Sequence, residues 1–398
     1  MLTPAPRSEL AASIPFDRAR LDRLMDEENI DLILATSKHN VQYLLGGHRA
    51  DFFDYMDATG VTRYLPIVIY PKGAPDKAAY IGHRLEKWQR EANPMWTPET
   101  QTLSNGSVDA MQKAVEVMKH HGLKPRRIGA ELGFLPFDAA MVLRGAFPNA
   151  ELVEATLVLD RQRAKKSAEE LKKLKHASDM VIASMQAVIA HHGPGATKRE
   201  LVEALRREET NRGLIFEYCL ITAGTSHNRA PSEQRWEKGE ALSIDSGGNY
   251  HGYIGDLCRM AIQGEPDAEL QDLLGEIEAI QRAAFKPIKA GVLGREIYAA
   301  AAPLVAKSKH HNHMEFLAHG MGLVSHEAPR LTDRGPVPYP PEHRDKALEA
   351  GMVISVETTL LHPRGFIKLE DTVAVTDHGY EIYGEGARGW NRGGTALR

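Results

Sequence analysis

The sequence predicts an α/β domain over residues 1–160 followed by an α+β domain over residues 161–398. Three observations carry this reading. Up to about residue 155, short apolar or β-branched runs alternate with segments of helical periodicity, the order that builds a sheet covered by helices. From Lys166 to His192 runs a long amphipathic stretch closed by Gly193-Pro194-Gly195, and the domain boundary falls just before it, near Asp160. Beyond residue 240, strands come in pairs joined by Gly- or Pro-containing turns, which makes an antiparallel sheet.

Residues 18 to 28 have helical spacing, and IDLILAT (30–36) reads as a buried strand. YLPIVIYP and AAYIG are further strands. SVDAMQKAVEVMKHHG reads as a helix with a Ser cap and a stop at Gly122. RRIGAEL, FDAAMVLRGAF and AELVEA follow as strand, helix and strand. In the second domain, TKRELVEALRREETNRG has a Thr cap and a Gly stop, and two more helices are expected at about 267–290 and 294–308.

Composition excludes several classes. The net charge of −4 leaves no nucleic-acid footprint, and RQRAKKSAEELKKLKH interleaves its bases with acids as a solvated helix face does. No stretch reaches the length of a membrane span, and the first 21 residues show neither a signal peptide nor an anchor. Two cysteines, Cys219 and Cys258, are too few for a disulfide framework and fit a reducing cytoplasm.

Chemistry concentrates in Asp245, Asp256, His319, Glu357 and Glu370, in the segments IDSGGNYHGYIGDLCR, LAHGMGLVSHEAPR, MVISVETTL and FIKLEDTVAV. Asp245 ends an apolar run, and a turn through Gly247 and Gly248 is expected to return the chain to Asp256. Pro363 to Gly365 supplies the turn between the strands carrying Glu357 and Glu370. His319 has glycine beside it, which would let backbone approach a metal. Four carboxylates meeting on an apolar sheet repel one another unless a positive centre is shared. The expectation is a site for two divalent metal ions, with manganese the first choice and iron, cobalt or zinc also compatible with oxygen and imidazole ligands.

These segments resemble the pita-bread metallopeptidases: prolidases, Xaa-Pro aminopeptidases and methionine aminopeptidases, with creatinase as a metal-free relative. The matching motifs are D-x-G at Asp245–Gly247, Y-x-G-Y-x-x-D at Tyr250–Asp256, H-G-x-G-L-x-x-H-E-x-P at His319–Pro329, G-M-V-x-S-V-E at Gly351–Glu357 and E-D-T-V at Glu370–Val373. The resemblance covers the whole chain loosely and residues from about 160 onward specifically. It implies a creatinase-like N-terminal domain, a pita-bread catalytic domain, hydrolysis of an Xaa-Pro type peptide bond, and a homodimer. Asp245 would then chelate one metal, Asp256 and Glu370 would bridge both, and His319 and Glu357 would bind the second. A hydroxide bridging the metals would be the nucleophile, Glu357 the general base, and His326 a proton shuttle or a stabiliser of the tetrahedral intermediate. Arg330 either grips a substrate carboxylate or is a structural residue at a loop end.

Departures from the pattern bear on the substrate. Lys368 stands where the family commonly has Arg, which keeps the charge and loses the planar fork. Cys258 stands where Thr is common and reads as a small buried filler. In TSHNRAPS, the substrate-facing histidine of these enzymes aligns with His227 through a one-residue insertion, or else with Asn228. A Pro-rich stretch, RGPVPYPPEHRD, is expected at the rim of the site. These differences keep open a small-metabolite hydrolase or lyase, of the kind that opens ectoine or cleaves dimethylsulfoniopropionate. His310, His311 and His313 read as a solvated loop. Phe52, Phe53 and Tyr55 read as surface packing, with a lid over a dimer partner's site as the alternative.

Overall fold

The structure is a computed structural model that describes residues 14–51, 64–92, 95–334 and 339–397. Phe52, Phe53 and Tyr55 lie outside the described residues, as do residues 335–338 of the Pro-rich stretch. The chain forms two compact units, one ending at Gln162 and one beginning at Arg163.

The first unit runs α1 (Arg18–Glu27), β1 (Leu32–Ala35), α2 (Lys38–Leu44), β2 (Ile67–Pro71), β3 (Ala79–His83), α3 (Lys87–Ala92), β4 (Glu99–Ser104), α4 (Ser107–His120), β5 (Arg127–Ala130), α5 (Phe137–Ala146), β6 (Glu151–Glu154) and α6 (Thr156–Arg163). Its six strands form one sheet in the order β4-β3-β2-β1-β5-β6. The pairs β1·β5, β5·β6 and β3·β4 are parallel, as crossover helices require, while β1·β2 and β2·β3 are antiparallel. Helix α4 starts one residue earlier than its sequence suggests. Gly106 is the cap, Asp109 accepts from its N–H at 2.7 Å, and the Ser107 hydroxyl donates instead to Asp138 on α5. Leu34, Ile67, Ile69 and Ile81 from the sheet pack against Met111, Val115 and Met118 of α4 to form the core.

The second unit contains α7 (Ala168–His191), β7 (Ala196–Thr197), α8 (Lys198–Asn211), β8 (Ile215–Ala223), β9 (Arg235–Trp236), β10 (Ala241–Tyr250), β11 (Tyr253–Ile262), α9 (Ala268–Phe285), α10 (Arg295–Lys307), β12 (Met314–Gly320), β13 (Val353–His362), β14 (Gly365–Val375), β15 (Tyr380–Tyr383) and β16 (Asn391–Arg392). Capping boxes open α7 (Ser167 with Glu170) and α8 (Thr197 with Glu200). Lys166 is not part of α7. It is buried, and its ammonium pairs with Glu327 at 3.0 Å. The main sheet has the order β12-β13-β14-β11-β10-β8, with every pair along this path antiparallel. Helices α7 and α8 cover β8, β10 and β11 through Val181, Met185 and Leu205. Helices α9 and α10 cover β13 and β14 through Ile280, Phe285 and Ile297.

The hairpin carrying the two aspartates differs from expectation. Gly247 and Gly248 do not turn the chain. Strand β10 runs through them to Tyr250, and the turn lies at His251 and Gly252, both at positive φ. The glycines are there because side chains from elsewhere fill their places. A Cβ on Gly247 would lie 2.4 Å from the Tyr218 ring, and one on Gly248 would lie 2.7 Å from both Leu214 and Val181.

Behind this hairpin lies a buried acid, Glu209 of α8. The Ser246 hydroxyl lies 2.7 Å from the Tyr218 carbonyl oxygen and 3.0 Å from Glu209 Oε1. The carbonyl only accepts and the hydroxyl has one hydrogen, so a protonated Glu209 completes the pattern as donor. Burial pushes its pKa up to about 8, and nearby Glu217 adds to the rise. The folded value lies above the usual 4.5. The stability that protonated Glu209 contributes is therefore complete below pH 4.5 and lost as pH rises through 8. Glu209→Gln fixes the neutral form, so urea unfolding should show the variant gaining on the native protein between pH 5 and pH 9. The gain expected is up to about 4 kcal/mol, at about 1.36 kcal/mol per unit. An equal pH dependence of the two proteins would refute it.

Candidate metal centre

Strand register alone assembles the site. Directly paired residues, and residues two apart on one strand, share a face of the sheet. Glu357 pairs with Glu370, Glu370 with Cys258, and Cys258 with Asp245, so three carboxylates form one row across four strands. The small Cys258 thiol leaves room between Glu370 and Asp245, and burial pushes its pKa up. The next row holds His319, Ser355, Thr372, Asp256, Gly247 and Tyr218. Because Gly247 has no side chain, the Tyr218 ring lies across it, and the Tyr218 hydroxyl donates to Asp256. On the opposite side of the acid row, Lys368 pairs with Thr359. The aspartates are thus one row apart on adjacent strands.

Asp256, His319 and Glu370 bring ligand atoms within 4.8 Å of one another, and all three are buried. His319 Nε2 has no hydrogen-bond partner, its nearest acids being Glu370 Oε1 at 3.7 Å and Glu357 Oε1 at 3.8 Å. A buried nitrogen left this way among carboxylates is what a cation would satisfy. Oxygen and imidazole donors fit a divalent ion of the manganese-to-zinc series. The glycine after His319 has another purpose than metal approach. A Cβ on Gly320 would lie 2.2 to 2.5 Å from the backbone of Glu327 to Pro329, so it lets the loop bearing His326 pack down.

Electrostatics show the same lack of positive charge. Burial, then Glu370 and Asp245, raise the pKa of Asp256 well above the carboxylate range. Burial raises Asp245 and Glu357 against the pull of Lys368. Glu370 goes the other way: Lys368 and His319 overcome burial and hold it far below its usual value. Burial alone would depress His319, but Glu370, Glu357 and Asp256 push it up to about 8.

Cations reach the acids from one side. The Lys368 ammonium lies 2.7 Å from Asp245 Oδ2, 2.5 Å from Glu357 Oε2 and 2.8 Å from Glu370 Oε2. Arg229 also bonds Asp245 Oδ2, with its guanidinium over the Phe366 ring. Its loop is anchored where buried Lys198 donates to the Asn228 carbonyl.

The site floors a cavity of about 810 Å³, whose apolar wall includes Leu220, Leu317, Leu361 and Phe366. His326 lines it, its ring stacked 3.8 Å from that of His319. Burial and His319 push the His326 pKa down to about 3, so the ring is neutral. The next residue, Glu327, is buried and held by Arg163 at 3.1 Å and Lys166 at 3.0 Å, which fixes the loop that presents His326. His313, read as a solvated loop residue, lines the cavity. Two other candidates do not. Arg330 stacks over Tyr339 at 4.0 Å, and exposed His227 has Nε2 3.2 Å from the His362 carbonyl. The cavity wall has Arg229 from this stretch instead.

Sequence reasoning missed Tyr218 and Arg229. Alternation along β8 gives a signal for Tyr218, which shares a face with Leu220 on the strand beside Asp245. Arg229 follows directly on the two residues weighed for the substrate histidine.

Comparison with known proteins agrees with this architecture. Residues 172–377 match metallopeptidase family M24, and residues 18–165 match the creatinase/prolidase N-terminal domain. An Xaa-Pro dipeptidase of Pyrococcus horikoshii is 24% identical over 371 residues, covering 90% of this chain and 94% of that protein. An uncharacterized peptidase of Bacillus subtilis is 24% identical over 367 residues, covering 90% and 95%. Among solved structures, an Xaa-Pro dipeptidase from Bacillus anthracis superposes with a TM-score of 0.78 at 23% identity, covering 94% of this chain and 98% of that one. An X-Pro aminopeptidase from Thermotoga maritima gives 0.73 at 21%, covering 94% and 99%. With a creatinase-like α/β domain followed by a pita-bread α+β domain, the chain belongs to metallopeptidase family M24.

Proposed function

We propose that this chain is a divalent-metal-dependent hydrolase that cleaves an Xaa-Pro type peptide bond. The observation that carries the reading is the convergence of Asp245, Asp256, His319, Glu357 and Glu370 on the floor of one cavity. The dipeptidase of Pyrococcus horikoshii, similar over most of its length, supports the substrate class. Asp245, Asp256, His319, Glu357 and Glu370 would hold up to two ions, manganese first among the candidates. When bound, the metal supplies a water acidified enough to attack an amide carbonyl near neutral pH. Glu357, on the cavity floor, takes the proton of the attacking water. His326, held neutral beside His319, donates a hydrogen bond to the oxygen that gains charge as the carbonyl becomes tetrahedral. The apolar wall of Leu220, Leu361 and Phe366 suits an imino-acid ring. A homodimer and a cytoplasmic location, with Cys219 and Cys258 both free thiols, complete the proposal.

One observation favours a second reading. The cavity wall carries Arg229, and Arg330, which is not part of that wall, stacks on Tyr339. A clamp built differently fits a small carboxylate-bearing metabolite as well as a dipeptide. The test is hydrolysis of an Xaa-Pro dipeptide and an Xaa-Pro tripeptide by Mn-loaded protein, with a chelated control. Chelator-sensitive cleavage of the dipeptide alone is the expected result, and cleavage of both would indicate an aminopeptidase. Metal-loaded protein inactive on both would overturn the peptide reading in favour of the metabolite. Arg330→Ala should leave KM for the dipeptide within about threefold, whereas Arg229→Ala should raise it.

A further inference from the structure

We propose that Lys368, with Arg229, holds Asp245 in place of a second metal ion, so that the protein takes one divalent ion tightly and a second only by displacing the Lys368 ammonium. The inference rests on the metal-dependent reading above and concerns how this chain fills that site.

The oxygens of the acid row divide into two sets. Glu357 Oε1 and Glu370 Oε1 face His319 Nε2, at 3.8 and 3.7 Å. Glu357 Oε2 and Glu370 Oε2 face Lys368 Nζ, at 2.5 and 2.8 Å, together with Asp245 Oδ2 at 2.7 Å. The two glutamates therefore bridge two cation positions, each giving one oxygen to each. The first has a buried imidazole nitrogen without a partner and Asp256 beside it, the mark of a metal pocket. The second is filled by an ammonium making three charge-assisted contacts in a buried setting. Asp245 belongs to the second alone, because its Oδ2 also accepts from Arg229. It lies outside the group of ligand atoms that Asp256, His319 and Glu370 form.

Charge balance agrees. Four carboxylates against Lys368 and Arg229 leave two negative charges, which one divalent ion neutralises. A second ion on the same three oxygens would come within about 3 Å of Nζ, where two buried cations repel strongly. An arginine at position 368 is longer and planar, and cannot place a compact charge among three oxygens as an ammonium does.

Calorimetric titration of chelator-stripped protein with Mn²⁺, read together with the Mn²⁺ electron paramagnetic resonance spectrum, tests this. The native protein should bind one equivalent tightly and a second at least tenfold more weakly, with an uncoupled spectrum at one equivalent. Lys368→Met removes the charge at similar length, and should tighten the second equivalent at least tenfold and give a spin-coupled pair. Two equivalents of equal affinity in the native protein would overturn the inference while leaving the metal reading intact. A second equivalent unchanged by Lys368→Met would remove Lys368 from it. Folded native protein that binds no Mn²⁺ would overturn the metal reading, and this inference with it. The native titration decides even where the variant does not fold.

Discussion

Asp256→Ala is expected to leave the protein folded but unable to retain Mn²⁺ through gel filtration, and to lower kcat/KM by at least about three orders of magnitude. That loss corresponds to about 4 kcal/mol of barrier. Asp256 is the acid of the tight group that neither Lys368 nor Arg229 reaches, and the charge that draws its pKa down is that of His319. Its other support is the Tyr218 hydroxyl, itself held by the ring lying across Gly247. Removing it takes away a carboxylate that the buried pocket holds at a cost, since burial and two neighbouring acids all oppose its ionised form. The metal-free variant should therefore melt no lower than the metal-free native protein. What it should lose is the rise in Tm on adding Mn²⁺, which for the native protein is about 2.7 kcal/mol of stabilisation at a hundredfold excess over Kd. Unchanged metal content in Asp256→Ala would refute the assignment. Tyr218→Phe should weaken Mn²⁺ affinity by roughly 10–100-fold with the ligands themselves intact, as loss of an orienting hydrogen bond does.

The site was legible where chemistry is written in residue type and order. One acid on each strand of two hairpins, with a histidine between the hairpins in the chain, specifies a sheet surface that needs positive charge. The structure brings Asp245, Asp256, His319, Glu357 and Glu370 to one cavity, with Glu357 directly opposite Glu370. What the sequence concealed is what depends on side chains meeting from distant segments. Gly247 and Gly248 have the composition of a turn, yet the Tyr218 ring and the Leu214 and Val181 side chains occupy the space they leave. Period-2 alternation says which face a residue takes but not how far its side chain reaches. Lys368 therefore reads as a replacement for arginine that keeps the charge and loses the fork, while in the fold its ammonium touches three acids. Arg330 and Arg229 show the same limit: both lie in loops near site motifs, and only one lines the cavity. The fold itself was legible because three helices of the second domain carry their own start signals, at Ser167 with Glu170, Thr197 with Glu200 and Asp267. The amphipathic pattern of the sequence extends the helix back to Lys166, whereas the structure starts it at Ala168. The buried Glu327 that draws Lys166 in lies 161 residues further along the chain.

Asp371→Ala is expected to be the most destabilising single substitution in the second domain. Asp371 follows Glu370 on β14 and points to the opposite face, where it is fully buried. One oxygen accepts from Arg259 at 2.6 Å and the other from Arg388. Arg259 has its remaining donors on the carbonyl oxygens of Gly386, Cys258, Glu370 and Gly384, at 2.6 to 2.9 Å. Those carbonyls satisfy its hydrogen bonds and carry no charge. Arg388 has Gln281 and the half-buried Glu278 as further partners. Burial already depresses both guanidinium pKa values to about 10, and Arg259 is among the charges that lower Arg388. Without Asp371, two guanidinium groups face each other in the core with the charge between them gone. Breaking a buried ion pair at one partner costs about 3–5 kcal/mol. For a domain of this size, that lowers Tm by on the order of 10 °C. Because Arg259 ties Cys258 and Glu370 together through their carbonyls, the acid row should loosen as well, and Mn²⁺ affinity should fall with stability. The double variant Asp371→Ala/Arg388→Met removes one stranded charge and should recover part of the loss, a sign that repulsion and not a missing hydrogen bond sets its size. A fall in Tm of less than about 3 °C in Asp371→Ala, or no recovery in the double variant, would show that the two arginines are held by their carbonyl partners alone.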